Sequence, residues 1–166
     1  MGKLRSFDES KHRRVSAGVP EGGQFAPSLA TLDAAKRAAG LPYKDMANAI
    51  RMGGVSRSLD GKEPEKGFMV STSKATEVKI PLDHFSEEDV ANYVNEHLRG
   101  LMRDNYYFGG WVDNGFAVLD LSKNVFSVGL AVSYAIRAHQ DSIYVVPPKG
   151  QEGSYIERQD YWRYVR

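Results

Sequence analysis

Asn105–Asp120 reads NYYFGGWVDNGFAVLD, two aromatic-rich runs on either side of Asn114-Gly115. That pair marks a two-residue hairpin, because both turn positions need positive φ and Asn and Gly tolerate it best. The turn sets the register: Asp113 faces Phe116, Val112 faces Ala117, Trp111 faces Val118, Gly110 faces Leu119 and Phe108 faces Leu121. Alternation along each strand then sorts the side chains. Phe108, Val112, Ala117, Leu119 and Leu121 form a core face. Tyr107, Trp111, Asp113, Phe116, Val118 and Asp120 form the other, whose three aromatics and two carboxylates call for a cover or a ligand.

Working outward, the spacing predicts a β-α-β-β-α-β order over residues 67–147. Gly67–Ser71 is the first strand. Ser86 and Asp89 approximate a capping box for a helix to Met102, with Val90, Tyr93, Val94, His97, Leu98, Leu101 and Met102 on one stripe. After the hairpin, Asn124 is read as the cap of a second helix reaching about His139, and Ser142–Val146 closes the unit before Pro147-Pro148. The expected class is α+β, with a ferredoxin-like split motif whose two helices share one sheet face.

Four segments follow from this reading. Residues 1–26 are a polar, flexible arm, residues 27–66 two short helices and a turn-rich linker, residues 67–148 the core, and residues 149–166 an aromatic tail. Ser28 caps the first short helix, and Pro42 opens the second, with Tyr43, Met46, Ala47 and Ile50 at helical spacing. These two helices are the expected cover for the aromatic hairpin face, which would leave Trp111 largely buried. The tail joins Tyr155, Tyr161, Trp162 and Tyr164 to Arg158, Arg163 and Arg166, a composition that packs on its own domain or on a partner.

Composition narrows the function. The 166 residues carry 22 Lys plus Arg against 21 Asp plus Glu, a net charge of +1 that demands neither nucleic acid nor an acidic membrane. No cysteine is present, so disulfides and thiolate metal sites are excluded. The longest apolar run, Val125–Ile136, is too short to span a bilayer, and no secretory signal opens the chain. The expected setting is a host cytoplasm or a virion. His12, His84, His97 and His139 show no metal-ligand spacing, and neither a metal nor a cofactor is expected. Ser71-Thr72-Ser73-Lys74 matches S-x-x-K without its companion motifs, and its Ser ends a strand instead of opening a buried helix.

Gly115-Phe116-Ala117 matches part of an RNA-recognition strand, but Asn114 stands at the basic position and Asp120 on the same face repels phosphate. The arm holds five basic residues against three acidic ones and ends in Gly22-Gly23-Gln24-Phe25. Its string SAGVPEGGQFAP resembles the AG-x-P-x-GGQFA element near the N-termini of small proteins of actinobacteria and their phages. The resemblance covers about twelve residues, implies an address tag, and supplies no catalytic residues. Residues 67–147 are similar to uncharacterised domains that accompany that tag.

The function expected is a non-enzymatic phage or mobile-element protein that docks on a capsid or host protein through its termini. Arg13, Arg14, Gln24 and Phe25 in the arm and Tyr161, Trp162 and Tyr164 in the tail are its candidate contacts. A symmetric homo-oligomer would reinforce them. The alternative is a small enzyme or nucleic-acid binder that uses Tyr107, Trp111, Phe116 and Asp120.

Overall fold

A computed structural model of the chain describes residues 27–165. Chain contacts divide it after Asp33. The described part of the first unit is the start of helix α1 (Leu29–Ala39), where Ser28 Oγ accepts from the Thr31 amide at 3.2 Å. The second unit, residues 34 onward, is α+β and holds all the strands among the described residues. Its helices after α1 are α2 (Tyr43–Arg51), α3 (Glu87–Glu96), α4 (Leu98–Leu101) and α5 (Val128–Arg137).

The strands are β1 (Gly54–Arg57), β2 (Phe68–Ser71), β3 (Val78–Pro81), β4 (Tyr106–Asp113), β5 (Phe116–Val125), β6 (Ser142–Val145) and β7 (Ser154–Glu157). All pair antiparallel, in the order β1-β4-β5-β2-β6-β7, with β3 lying beside β5 in line with β2. The hairpin β4–β5 keeps the register set by its turn, with Trp111 opposite Val118 and Gly110 opposite Leu119. Asn114 and Gly115 adopt φ of 48° and 82°, the left-handed pair that matches strand twist.

Leu119, Leu121 and Val125 share one face of β5, and both main helices pack there. Val90, Tyr93 and Val94 of α3 join Phe108, Ala117, Leu119 and Leu121 in one cluster. Ala131, Val132 and Ala135 of α5 join Val70, Val125 and Ile143 in a second.

The sheet has seven strands where the spacing predicts four. The linker read as turns contributes β1, the stretch after Ser71 contributes β3, and the tail contributes β7. Each is four residues long, as β2 and β6 are, but GVSR, VKIP and SYIE lack the three apolar or aromatic residues in a row that mark FMVS and SIYV, and pairing with β4, β5 or β6 supplies the order.

Three further expectations are corrected. The helix over 86–102 breaks at His97 (φ −101°, ψ 15°), whose Nδ1 lies 3.0 Å from the Tyr93 carbonyl and whose ring stacks on Tyr93 at 4.1 Å. Asn124 caps no helix: β5 runs on to Val125 against β2, and Ser127 caps α5 instead, accepting from the Leu130 amide at 3.4 Å.

The third correction concerns the cover. Met46, Ala47 and Ile50 of α2 are buried in the cluster with Phe108 and Leu119, so α2 lies on the core face and does not cover the aromatic face. Gly110 shows why: a Cβ there would stand 2.5 Å from Ile50 Cδ1, so the missing side chain is the space that α2 fills. Trp111 is accordingly half-buried instead of enclosed.

Candidate functional site

With both layers of helix on one side, the opposite sheet face is free to be lined by whatever the alternate residues are. On β5 these are Val118, Asp120, Ser122 and Asn124, a row that turns polar halfway along the strand. Asp120, Ser122 and Asn124 are all buried, as is Ser71 on β2, opposite Ser122.

A trough of about 1400 Å³ crosses this face. Its floor takes in β1, β4, β5, β2, β6 and β7 in turn, through residues such as Ser56, Gly109, Asp120, Ser71, Tyr144 and Tyr155. Two loops wall it, 61–65 and 147–153. Arg57 on the floor is already ion-paired with Glu63 of the first loop.

Asp120 is the unusual group, an ionisable side chain only 2% exposed near the middle of the floor. Ser122 Oγ reaches both carboxylate oxygens, at 2.9 and 3.1 Å, and the Ser71 hydroxyl, which donates to the Ser73 carbonyl at 3.4 Å, lies close by. Burial pushes the carboxyl up to about 6, further than the two hydroxyls and Lys74 pull it down, and Glu77 adds to the rise. Among the described residues no cation is ion-paired with it, and Lys74 is held by Glu77 at 3.0 Å. Gly109 is its cross-strand partner, and a Cβ there would collide with Asp120 Oδ1. The glycine is therefore required by close approach of the carboxylate.

The trough's far wall is aromatic. Tyr144 and Tyr155, paired across β6 and β7, lie 5.3 Å apart, and Trp111 stands on β4 at the other side. Toward the hairpin turn the face closes, because Lys79 on β3 reaches Asp113 on β4 at 3.2 Å and so bridges over β5. Val118, beneath this bridge, is 1% exposed.

The candidate residues from the sequence separate accordingly. Trp111 and Asp120 meet in the trough, whereas Tyr107 and Phe116 are not among its lining and Phe116 projects near the turn. Tyr161 is in the core instead of on a binding surface: its side chain packs with Val132 and Ile143, and its hydroxyl donates to the Gln140 carbonyl at 3.3 Å. Burial pushes that phenol up to about 12. Trp162, beside it, is 71% exposed with Arg163 over its ring, and Tyr164 is exposed as well. Arg13, Arg14, Gln24 and Phe25 lie outside the described residues.

Sequence reasoning missed Ser71, Ser122 and Gln140 as parts of one polar floor. The signal for Ser122 was present, since it follows Asp120 by two on a strand whose register was known. Ser71 and Gln140 needed the pairing of β2 and the placement of β6. Among the described residues no three His, Asp or Glu side chains gather as metal ligands, and no helix is long and apolar enough to cross a membrane. No protein-family model, curated protein or solved structure matches the chain.

Proposed function

We propose that the protein is a non-enzymatic interaction module that holds an extended segment of a protein partner in the trough on the open sheet face. The observation that carries this reading is the trough's length. It crosses six strands, which at about 4.8 Å per strand is about 24 Å, the reach of about seven extended residues. Its volume of about 1400 Å³ exceeds the ~300–1,000 Å³ of a small-molecule pocket.

Charge favours a peptide over a nucleic acid. The lining offers three basic side chains, Arg57, Lys62 and Lys149, against four acidic ones, Glu63, Glu65, Asp120 and Glu152. A groove that tracks a phosphate backbone needs the opposite balance. Aromatic anchors beside backbone-accessible glycines suit a polypeptide. The N-terminal element points to the partner's setting: a virion component or a host protein of an actinobacterium.

Photo-crosslinking tests this. A benzophenone amino acid at position 111 should give partner adducts in actinobacterial lysate, mapped by mass spectrometry to one extended segment. The same group at Leu130, exposed on the helix side of the sheet, should give few. Adducts from position 130 alone would move the binding surface to α5 and defeat the reading.

A further inference from the structure

We propose that Asp120 recognises a basic residue, so that a lysine or arginine of the bound segment reaches down from the trough and pairs with the Asp120 carboxylate. The inference rests on the trough being the partner-binding surface, and it names what the partner must carry.

Four observations lead to it. The carboxylate stands on the floor near mid-trough, on β5, with aromatic walls on both sides. Among the described residues the side chain that donates to it is the Ser122 hydroxyl, while the Ser71 hydroxyl donates to the Ser73 carbonyl, so most of a carboxylate's four acceptor sites are left unused. Among the described residues no cation of this chain is ion-paired with it. And the carboxylate itself fills the room over Gly109, opposite, so no β4 side chain at that position stands between it and the trough.

An ionised carboxylate buried without a counter-charge is costly, and a neutral residue of the same shape avoids that cost. A ligand cation removes it only in the bound state, which turns the deficit into binding specificity. The groups facing Asp120 do not supply the missing charge. Lys74 and Glu77, from the excursion between β2 and β3, neutralise each other, and Tyr93 of α3 is an uncharged phenol held by the Thr76 carbonyl at 2.6 Å. A metal ion would find too few protein ligands, since a hard cation takes six or more oxygens.

The test is a selection of displayed heptapeptides against the full chain, followed by affinity measurements on Asp120→Asn. The expected result is an enriched family with one invariant Lys or Arg that shifts the backbone amides of 54–57, 109–111 and 142–144. Its affinity should fall at least tenfold when that residue becomes norleucine, and equally in Asp120→Asn. On the unaltered protein the same peptide should weaken between pH 7.5 and 5, where Asp120 takes up its proton, while the norleucine peptide does not. This second measurement stands even if the variant fails to fold. A family that shifts the same amides without a fixed basic residue, or that binds Asp120→Asn equally well, overturns the inference and leaves the trough reading standing. If no enriched peptide perturbs those amides, the trough reading itself falls.

Discussion

Replacing Asp120 by Asn should make the protein more stable at neutral pH and leave its stability nearly unchanged in acid. In the folded state burial holds the carboxyl at about 6, against an ordinary value of 3.8. The folded protein therefore binds this proton more tightly than the unfolded chain. Stability from the group is fully present below about pH 4 and is lost as pH rises through about 6. The gap of about two pH units corresponds to about 3 kcal/mol.

Asparagine has no charge to desolvate, and its amide can still meet the Ser122 hydroxyl, which sits 2.9 Å from the present oxygen. Some of the gain is offset by the second amide hydrogen, so the expected gain at pH 7.5 is about 1–3 kcal/mol. At about 2–4 °C per kcal/mol for a chain of this size, the melting temperature should rise by about 2–12 °C. Urea melts followed by circular dichroism at pH 4, 5, 6 and 7.5 give the difference directly, since every other titrating group is common to both proteins. A loss of stability at pH 7.5, with a difference that does not vary with pH, would refute the reasoning. It would show that the folded protein compensates the carboxylate.

Leu119→Ala, at a fully buried position on the core face, should cost about 2–5 kcal/mol in denaturant melts, and a loss under ~1 kcal/mol would invert the face assignment. Replacing Asn114-Gly115 by Val-Val forces β-branched residues into positive φ at both turn positions and should lower stability by about 1–3 kcal/mol per strained residue, read by the same melts. In a Trp162→Phe background, Trp111 fluorescence should be quenched by iodide at an intermediate rate, in keeping with its half-buried place in the trough. Quenching at the rate of free tryptophan would place the ring in bulk solvent, and none at all would place it in the core.

The sequence alone determined the features that depend on neighbours along the chain. Asn114-Gly115 imposed the turn, and with it every cross-strand pair of the hairpin from Phe108–Leu121 to Asp113–Phe116. The Ser86–Asp89 box, with Ser86 amide to Asp89 Oδ2 at 2.7 Å, set the start of α3. Alternation alone separates Leu119 from Asp120, and so identifies which face holds the carboxylate. These signals are local because a turn, a cap or a two-residue period spends its information within a few residues.

Tertiary structure decided what long-range pairing alone can supply. The strands β1, β3 and β7 are GVSR, VKIP and SYIE, short and without an unbroken apolar run, and pairing with a neighbouring strand is what orders them. The side on which α2 packs was decided by the space over Gly110 that Ile50 fills, which composition does not reveal. Tyr161 went inward while Trp162 stayed out because a 3-10 helix over Arg158–Arg163 sends consecutive residues in different directions. The environment of Asp120 was decided last. Gly109 stands opposite Asp120 by the hairpin register alone, but Ser71 comes from β2, far earlier in the chain, and only the sheet brings it beside the same buried charge.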